Sequence, residues 1–164
     1  MSEKKYISLM SFFEEHTVLK SEVLMLNKFI TYLIFACYPL FLCYLLYIKS
    51  GKILTYVLVP LVSFLLISVF RVLFNAKRPY EKYNFQPIKT TEKKGKSFPS
   101  RHVFSAAIIS FMFLDFNIYL GIVFLILSVI LAALRVLCGV HFIKDVAGGI
   151  LAALFFYLIT IFLL

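Results

Sequence analysis

Long apolar runs separated by short polar segments dominate this sequence of 164 residues. A membrane-spanning helix needs about 20 apolar residues to cross a hydrocarbon core of about 30 Å. By that measure the pattern predicts an all-α fold, a polytopic membrane helix bundle with five transmembrane helices, of which the third is the shortest. The predicted helices cover residues 29–48, 53–74, 100–116, 118–135 and 146–164.

The segment 1–28 has a different pattern from the spans. Apolar residues such as Ile7, Met10 and Phe13 are mixed with charged residues such as Glu14 and Lys20. This mixture predicts an amphipathic helix that lies in the membrane interface rather than crossing it. A solvent-exposed helix is the alternative interpretation of the same pattern.

The length of the chain and the lack of repeats or linkers in its sequence predict one membrane-embedded domain, residues 1–164. With five spans, the connections alternate between the two membrane faces. The loop 75–99, the junction between the last two helices and the N-terminus then share one face. The turn at Lys49–Lys52, Asp115 and the C-terminus share the other face. Three polar clusters, described below, all belong to the first face.

The composition agrees with the apolar pattern and also indicates what kind of molecule the protein binds. The chain is 62% hydrophobic, against about 45–50% for an ordinary soluble domain. Its net charge of +9, gathered at the ends of the spans and in one loop, favours anionic lipid headgroups as partners. Nucleic acid is not expected, because the sequence has no recognisable binding module. The three cysteines fall in apolar segments without metal-ligand spacing and are predicted to be buried hydrophobic residues.

The first polar cluster lies at the end of the second predicted span. Arg71 and Arg78 are two helical turns apart, so both can face the same side of a helix. Pro79 then prevents the helix from continuing. Two guanidinium groups on one face can bind phosphate oxygens through paired N–H donors. The alternative is that both side chains only anchor the helix at the interface.

The second cluster is Ser100-Arg101-His102, directly after Pro99. Proline and serine are typical of a helix start, and the free backbone N–H groups there attract anions. His102, placed just before an apolar helix, is a candidate acid or base. An ordinary helix cap with a basic neighbour is the alternative for Ser100.

The third cluster joins the last two spans. Arg135 ends the fourth span, and His141 and Asp145 begin the fifth. His141 and Asp145 are four residues apart and therefore adjacent on one helical face. A carboxylate in that position can hold the imidazole in one tautomer and stabilise its cation. A purely structural His–Asp cap is the alternative.

Together, in this order, the three clusters resemble the signature of the type-2 phosphatidic acid phosphatase family. That signature reads Lys, six residues, Arg-Pro, then Pro-Ser-Gly-His, then Ser-Arg, five residues, His, three residues, Asp. The same spacings occur here in Arg71 to Pro79, Pro99 to His102 and Leu134 to Asp145. The resemblance spans residues 71–145, and the helix layout extends it to residue 164.

The resemblance implies a role for each matching residue. His141 is expected to be a nucleophile that forms a phosphohistidine, oriented by Asp145. His102 is expected to protonate the leaving lipid oxygen and later to activate water. The resemblance implies no metal and no organic cofactor. The residues expected to bind the substrate phosphate are Arg71, Arg78, Ser100 and Arg135.

Three positions depart from the family pattern. Arg71 replaces lysine and keeps the charge, and Leu134 replaces serine and loses one potential hydrogen bond. Arg101 stands where the family has glycine. We expect Arg101 to contact the substrate phosphate or anionic headgroups, and so include it among the predicted phosphate-binding residues.

The implied activity is that of an integral membrane lipid phosphatase acting on a lipid phosphate monoester or diphosphate. The family suggests undecaprenyl diphosphate, phosphatidylglycerol phosphate and phosphatidic acid as candidates. Two alternatives remain: a lipid phosphotransferase whose acceptor is not water, and a noncatalytic protein that binds anionic lipids. The oligomeric state is not indicated by the sequence.

Two observations conflict about the membrane side of the predicted site. Of the 17 lysines and arginines, only Lys49 and Lys52 lie at the opposite face. The positive-inside rule would therefore place the site in the cytoplasm. The family resemblance implies a multi-pass protein of the cell membrane with an extracytoplasmic site, and we favour that orientation.

Overall fold

A computed structural model describes residues 1–89, 91 and 94–163. Over those residues the regular structure is entirely α-helical, which confirms the predicted fold class. The helices, in chain order, are α1 (Glu3–Glu15), α2 (Thr17–Tyr47), α3 (Ile53–Phe74), α4 (Pro79–Tyr83), α5 (Arg101–Phe116), α6 (Ile118–Leu137) and α7 (Ile143–Leu163).

Helix α5 is the centre of the bundle. Every residue from Val103 to Phe113 is buried, and α6 and α7 pack along its length. A helix that is apolar on all sides is stable only when other helices surround it. Four of the outer helices, α2, α3, α6 and α7, are long and apolar enough to cross a membrane. Helix α5, with 16 residues, corresponds to the short third span that the sequence predicts at 100–116.

Close packing joins α5 to α6. A Cβ atom added to Gly121 would lie 2.2 Å from the Cα atom of Leu114. Glycine is therefore required where the two helices meet. Further along the same interface, the Ser110 and Ser128 hydroxyl groups are 2.9 Å apart and satisfy each other in an apolar environment.

A polar cluster closes the end of the bundle away from the predicted site. The Lys52 ammonium lies 3.2 Å from the Asp115 carboxylate. The Tyr56 hydroxyl donates a 2.6 Å hydrogen bond to the same oxygen. These contacts tie the start of α3 to the end of α5, as expected for segments that share one membrane face.

The N-terminal segment differs from the prediction of one interfacial helix over 1–28. Helix α1 ends at Glu15, and residues from Thr17 onward belong to the same helix as the first span, which was predicted to begin at 29. At 1.5 Å per residue, the 31 residues of α2 extend about 46 Å, well beyond the hydrocarbon core. A helix of this length has room for the charged residues that favoured a separate segment outside the stretch needed to cross the core.

Other boundaries move by a few residues. Helix α6 continues to Leu137 and α7 begins at Ile143, so the junction between them is shorter than predicted. The predicted loop 75–99 contains the short helix α4. Shifts of this size are usual, because hydropathy and backbone hydrogen bonding place helix ends by different criteria. The predicted last residue, Leu164, lies outside the described residues.

Candidate active site

One cavity of about 470 Å³ lies at the end of the bundle where the three sequence clusters meet. Helix α3, the loop after α4, the start of α5, the end of α6 and the α6–α7 junction all contribute to its wall. Six of the eight predicted site residues line it, and the other two, Ser100 and Asp145, are fully buried. The six are Arg71, Arg78, Arg101, His102, Arg135 and His141.

Glu81 shapes the loop that covers the cavity. Its carboxylate accepts hydrogen bonds from the backbone N–H of Arg78 at 2.8 Å and of Gly95 at 2.9 Å. Gly95 has a φ of +63°, and a Cβ there would lie 2.2 Å from the Asn75 side-chain oxygen. This left-handed, crowded position favours glycine. The loop therefore folds back toward the end of α3.

Arg71 is held by the loop that precedes α5. Its guanidinium donates to the backbone carbonyls of Lys96, Ser97 and Pro99. The side chain is buried and also lines the cavity. Arg71 thus both orders the loop and adds positive charge to the cavity wall.

Arg78 and Arg135 differ in how far the protein satisfies them. Arg78 donates from Nε to the Gly95 carbonyl at 3.0 Å and from a terminal nitrogen to the Val140 carbonyl at 3.4 Å. Arg135 is 3% exposed, and its Nε is buried without a hydrogen-bond partner in the described part of the chain. A buried charged donor without a partner is costly unless a ligand satisfies it. Arg135 is therefore a candidate anion-binding group.

His141, Asp145 and Ser97 form a buried polar triad. The His141 Nδ1 atom lies 3.5 Å from an Asp145 carboxylate oxygen and 3.4 Å from the Ser97 hydroxyl. The Ser97 hydroxyl also donates to that carboxylate oxygen. The same oxygen accepts the Phe142 backbone N–H at 2.9 Å, which fixes the start of α7. With Nδ1 occupied, Nε2 is the His141 nitrogen available to a ligand in the cavity.

Sequence reasoning missed Ser97. The signal was present, since Ser97 is only three residues before the predicted Ser100. A lone serine in a loop carries no periodicity, however, and its contact with Asp145 joins residues 48 positions apart. Only the tertiary structure reveals that pairing.

Ser100 connects the second and third clusters through its backbone. Its N–H donates a 2.8 Å hydrogen bond to the Asp145 carbonyl. Gly149 permits this approach, since a Cβ there would lie 2.9 Å from the Ser100 carbonyl oxygen. The Ser100 hydroxyl is buried and has no hydrogen-bond partner within the described residues. The start of α5 and the start of α7 are thus held together beside the cavity.

The environment of His141 keeps its imidazole neutral. Burial lowers its pKa to about 4, although the hydrogen bond with Asp145 opposes that shift. At neutral pH the ring is therefore uncharged and keeps a nitrogen lone pair. That is the form required of a nucleophile.

Arg101 lies at the edge of the cavity nearest the apolar helices. Its guanidinium carbon is 5.4 Å from the centre of the Phe64 ring, on the membrane-spanning helix α3. The side chain is exposed, unlike the three buried arginines. The guanidinium can therefore contact ligand or lipid groups while it stays beside the Phe64 ring.

The loop adds cations that the sequence analysis did not single out. Lys89, Lys94 and Lys96 also line the cavity, whereas none of its described lining residues is a carboxylate. Within the described part of the chain, no three histidine, cysteine or acidic side chains form a group that could hold a metal ion. The wall is therefore suited to a multiply charged anion.

The structure is a bundle of apolar helices that carries a cationic pocket and a buried His–Asp pair. A comparison of the sequence with protein-family models identifies the family. The PAP2 superfamily matches residues 52–163, and the chain belongs to that family. Its apolar helices and its fold identify it as a multi-pass membrane protein. A search of curated protein sequences found no match.

Two solved structures share the fold. The crystal structure of Aquifex aeolicus LpxE is similar with a TM-score of 0.71 and 20% identity, over 88% of this chain and 86% of that one. The PAP2 type phosphatidylglycerolphosphate phosphatase from Bacillus subtilis is similar with a TM-score of 0.56 and 23% identity. That match covers 95% of this chain and 94% of the other. Both matches extend beyond the part of the chain that the family model matches.

Proposed function

We propose that this protein is an integral membrane lipid phosphatase that hydrolyses a phosphate monoester or diphosphate of a lipid. The observation that carries the proposal is the placement of His141 with its buried Asp145 partner in the wall of a cavity with four arginines. Family membership supports the same reaction class.

The reaction begins with nucleophilic attack. The His141 Nε2 lone pair forms a bond to phosphorus while the bond to the lipid oxygen breaks. His102, protonated once the anionic phosphate is bound beside it, donates a proton to that oxygen, so the lipid leaves as a neutral alcohol, or as a lipid phosphate from a diphosphate. Asp145 stabilises the positive charge that develops on His141, which becomes a phosphohistidine.

The second step regenerates the enzyme. His102, now neutral, accepts a proton from water as the water oxygen bonds to phosphorus. The phosphorus–nitrogen bond breaks, inorganic phosphate is released, and His141 recovers its lone pair. Each step moves one phosphoryl group and one proton, and neither requires an oxidant or a reductant.

The cations supply most of the rate enhancement in this proposal. Negative charge resides on the three equatorial phosphate oxygens as the phosphoryl group transfers, and fixed donors stabilise it. Arg135, with its unpartnered Nε, and the unpartnered Ser100 hydroxyl are the groups that the protein leaves unsatisfied. The reaction needs no metal ion in this scheme, because arginines occupy the positions where a cation would act.

Arg101 is proposed to recognise the headgroup region of the substrate. It is the exposed arginine of the cavity, and its guanidinium lies beside Phe64 of the apolar helix α3. We expect Arg101→Gly to change the preference among lipid phosphates. Unchanged turnover and unchanged preference would contradict this assignment.

The test of the proposed function is phosphate release from purified protein with divalent metals chelated. The panel comprises undecaprenyl diphosphate, phosphatidylglycerol phosphate and phosphatidic acid. We expect release from at least one lipid and its loss in His141→Ala, with lipid binding retained. A phosphorylated acceptor in place of free phosphate would indicate a phosphotransferase. Release that persists in His141→Ala would refute the histidine mechanism.

We propose that the site is extracytoplasmic, in line with the family resemblance. A cysteine placed at Lys82, an exposed residue of α4 on the site face, in a chain lacking Cys37, Cys43 and Cys138 reports the side. Labelling by an impermeant reagent in intact cells is expected. Labelling only after lysis would place the site in the cytoplasm, as the charge distribution favours.

A further inference from the structure

Helix α1, outside the segment that matches the family, reaches the backbone of the candidate nucleophile. Tyr6 is 0% exposed, and its hydroxyl donates a 3.1 Å hydrogen bond to the His141 carbonyl oxygen. The two residues are separated by 135 positions in the sequence. A tyrosine in an amphipathic helix normally keeps its hydroxyl in contact with water or headgroups. Here the hydroxyl is directed into the protein instead.

Aromatic rings fix the position of the Tyr6 ring. It stacks on Phe85 with ring centres 5.7 Å apart and meets the edge of Phe142 at 5.8 Å. The Tyr83 ring lies 6.0 Å away. Phe142 directly follows His141, so this aromatic cluster packs against the same backbone segment that the Tyr6 hydroxyl contacts. The ring packing and the hydrogen bond therefore act on one short loop.

The remaining buried face of α1 packs on the same loop. Met10 and Phe13 form an apolar cluster with Cys138 and Val140. Gly139 has a φ of +72°, and a Cβ there would lie 3.1 Å from the Met10 sulfur. The α6–α7 junction, residues 138–142, is thus covered by α1 over most of its length.

The hydroxyl of Tyr6 remains a donor over a wide pH range. Burial raises its pKa to about 12. The hydroxyl therefore stays protonated, and able to donate, around neutral pH. Its hydrogen bond is also the only one to the His141 carbonyl among the described residues.

We propose that Tyr6 is a positioning residue for His141: through its hydroxyl it holds the backbone that carries the nucleophilic imidazole. This inference rests on the proposed function, in which His141 Nε2 must lie in line with the bond that breaks. A misplacement of about 1 Å can cost about 100-fold in rate. The N–H groups of Cys138, Gly139 and Val140 bond to the end of α6, whereas the carbonyl of His141 is the point of the junction that α1 holds.

The experiment compares Tyr6→Phe with Tyr83→Phe in the full-length protein. Both changes remove one hydroxyl from the same aromatic cluster, but the Tyr83 hydroxyl makes no hydrogen bond to residues 138–142. We expect Tyr6→Phe to lower kcat about tenfold with KM nearly unchanged, because the cations that bind phosphate remain in place. We expect Tyr83→Phe to leave both constants within about twofold. These ranges correspond to the loss of one hydrogen bond that acts in the transition state.

Hydrogen exchange of the backbone amides of residues 139–142 provides a readout that does not depend on activity. We expect faster exchange in Tyr6→Phe than in Tyr83→Phe, with equal melting temperatures for the two variants within a few degrees. Unchanged kcat and unchanged exchange in Tyr6→Phe would overturn the proposal, as would a loss that falls on KM alone. If the unmodified protein releases no phosphate from any lipid, the proposed function fails. In that case the exchange experiment still tests whether Tyr6 fixes the backbone of this loop. A wild-type exchange rate in Tyr6→Phe would refute that role, and faster exchange would support it.

Discussion

The two polar ends of the helix bundle are built on opposite principles. At the end away from the cavity, Lys52 and Tyr56 both contact Asp115, so the charges are paired and satisfied within the protein. At the cavity, several cations meet with no carboxylate in the described wall, and the Arg135 Nε has no partner. The first arrangement ties helices together, whereas the second leaves binding capacity for an anion.

This contrast distinguishes a structural polar cluster from the one that we propose to be functional. Ionisable residues in membrane proteins are expensive to bury and are retained where they bind or react. Location at a membrane edge does not distinguish the two ends, because both have lysine or arginine there. What distinguishes the two ends is whether the protein itself supplies a carboxylate to pair with the cations. The following predictions test that distinction, beginning with the largest effect.

Arg135→Gln is expected to reduce phosphate release by about 100-fold to 1000-fold, the usual cost of removing one donor from a charge-stabilising site. The melting temperature should change little, because the protein itself does not satisfy the Arg135 Nε. Arg71→Gln is the matched comparison, and there both activity and melting temperature should fall, since loop carbonyls lose their donor. Equal losses of stability in the two variants would contradict this difference.

Stability is expected to fall as pH drops from about 6.5 toward about 4. The unfolded chain protonates His141 near its ordinary pKa of about 6.5, whereas burial lowers the folded pKa to about 4. Protons therefore bind the unfolded state preferentially in this window and favour unfolding.

The measurement for this pH effect is the melting temperature of wild type and His141→Asn across that range. The variant should show the shallower decline. Parallel curves would mean that His141 is not buried in its neutral form.

Ser97→Ala is expected to lower kcat about tenfold, because Asp145 loses a charge-assisted hydrogen bond and orients the imidazole less firmly. Ser63→Ala is the control, since that buried serine only donates to a backbone carbonyl of its own helix. Steady-state kinetics on the best lipid substrate would measure both. A wild-type rate in Ser97→Ala would remove Ser97 from the site.

Asp115→Asn is expected to lower the free energy of unfolding by about 1 kcal/mol without affecting kcat, because it weakens two interactions far from the cavity. Lys52→Gln should cost less than about 0.5 kcal/mol, since an exposed ion pair contributes little. Thermal unfolding in detergent, with activity measured at low temperature, separates the effects. Loss of activity in Asp115→Asn would show that the two ends are not independent.

Much of the fold could be predicted from the sequence because hydropathy and helix length are coupled in a bilayer. The apolar runs located every membrane helix, and the alternation of connections placed the three motifs at one end. The cavity residues followed because motif spacing fixes which helix end carries each side chain. His102, Arg135 and His141 were thus found without tertiary information.

The remaining features depend on contacts between distant segments. Nothing local to Arg71 shows that it bonds carbonyls in the loop before α5, and nothing near Tyr6 shows its partner to be His141. The apolar side of α1 was assigned to the membrane interface because a single amphipathic helix gives the same pattern whether it packs on lipid or on protein. Such assignments require coordinates.

The shortness of α5 has a consequence for the depth at which chemistry would occur. Its 16 residues extend about 24 Å, less than a hydrocarbon core of about 30 Å. Because Asp115 ties its far end to the opposite face, we expect Ser100 and His102 to sit beneath the headgroup plane. The substrate phosphate would then have to enter the membrane below the headgroups, or the bilayer would have to become thinner around the protein. In either case the attraction between the phosphate and the arginines is stronger there, because less water surrounds the charges.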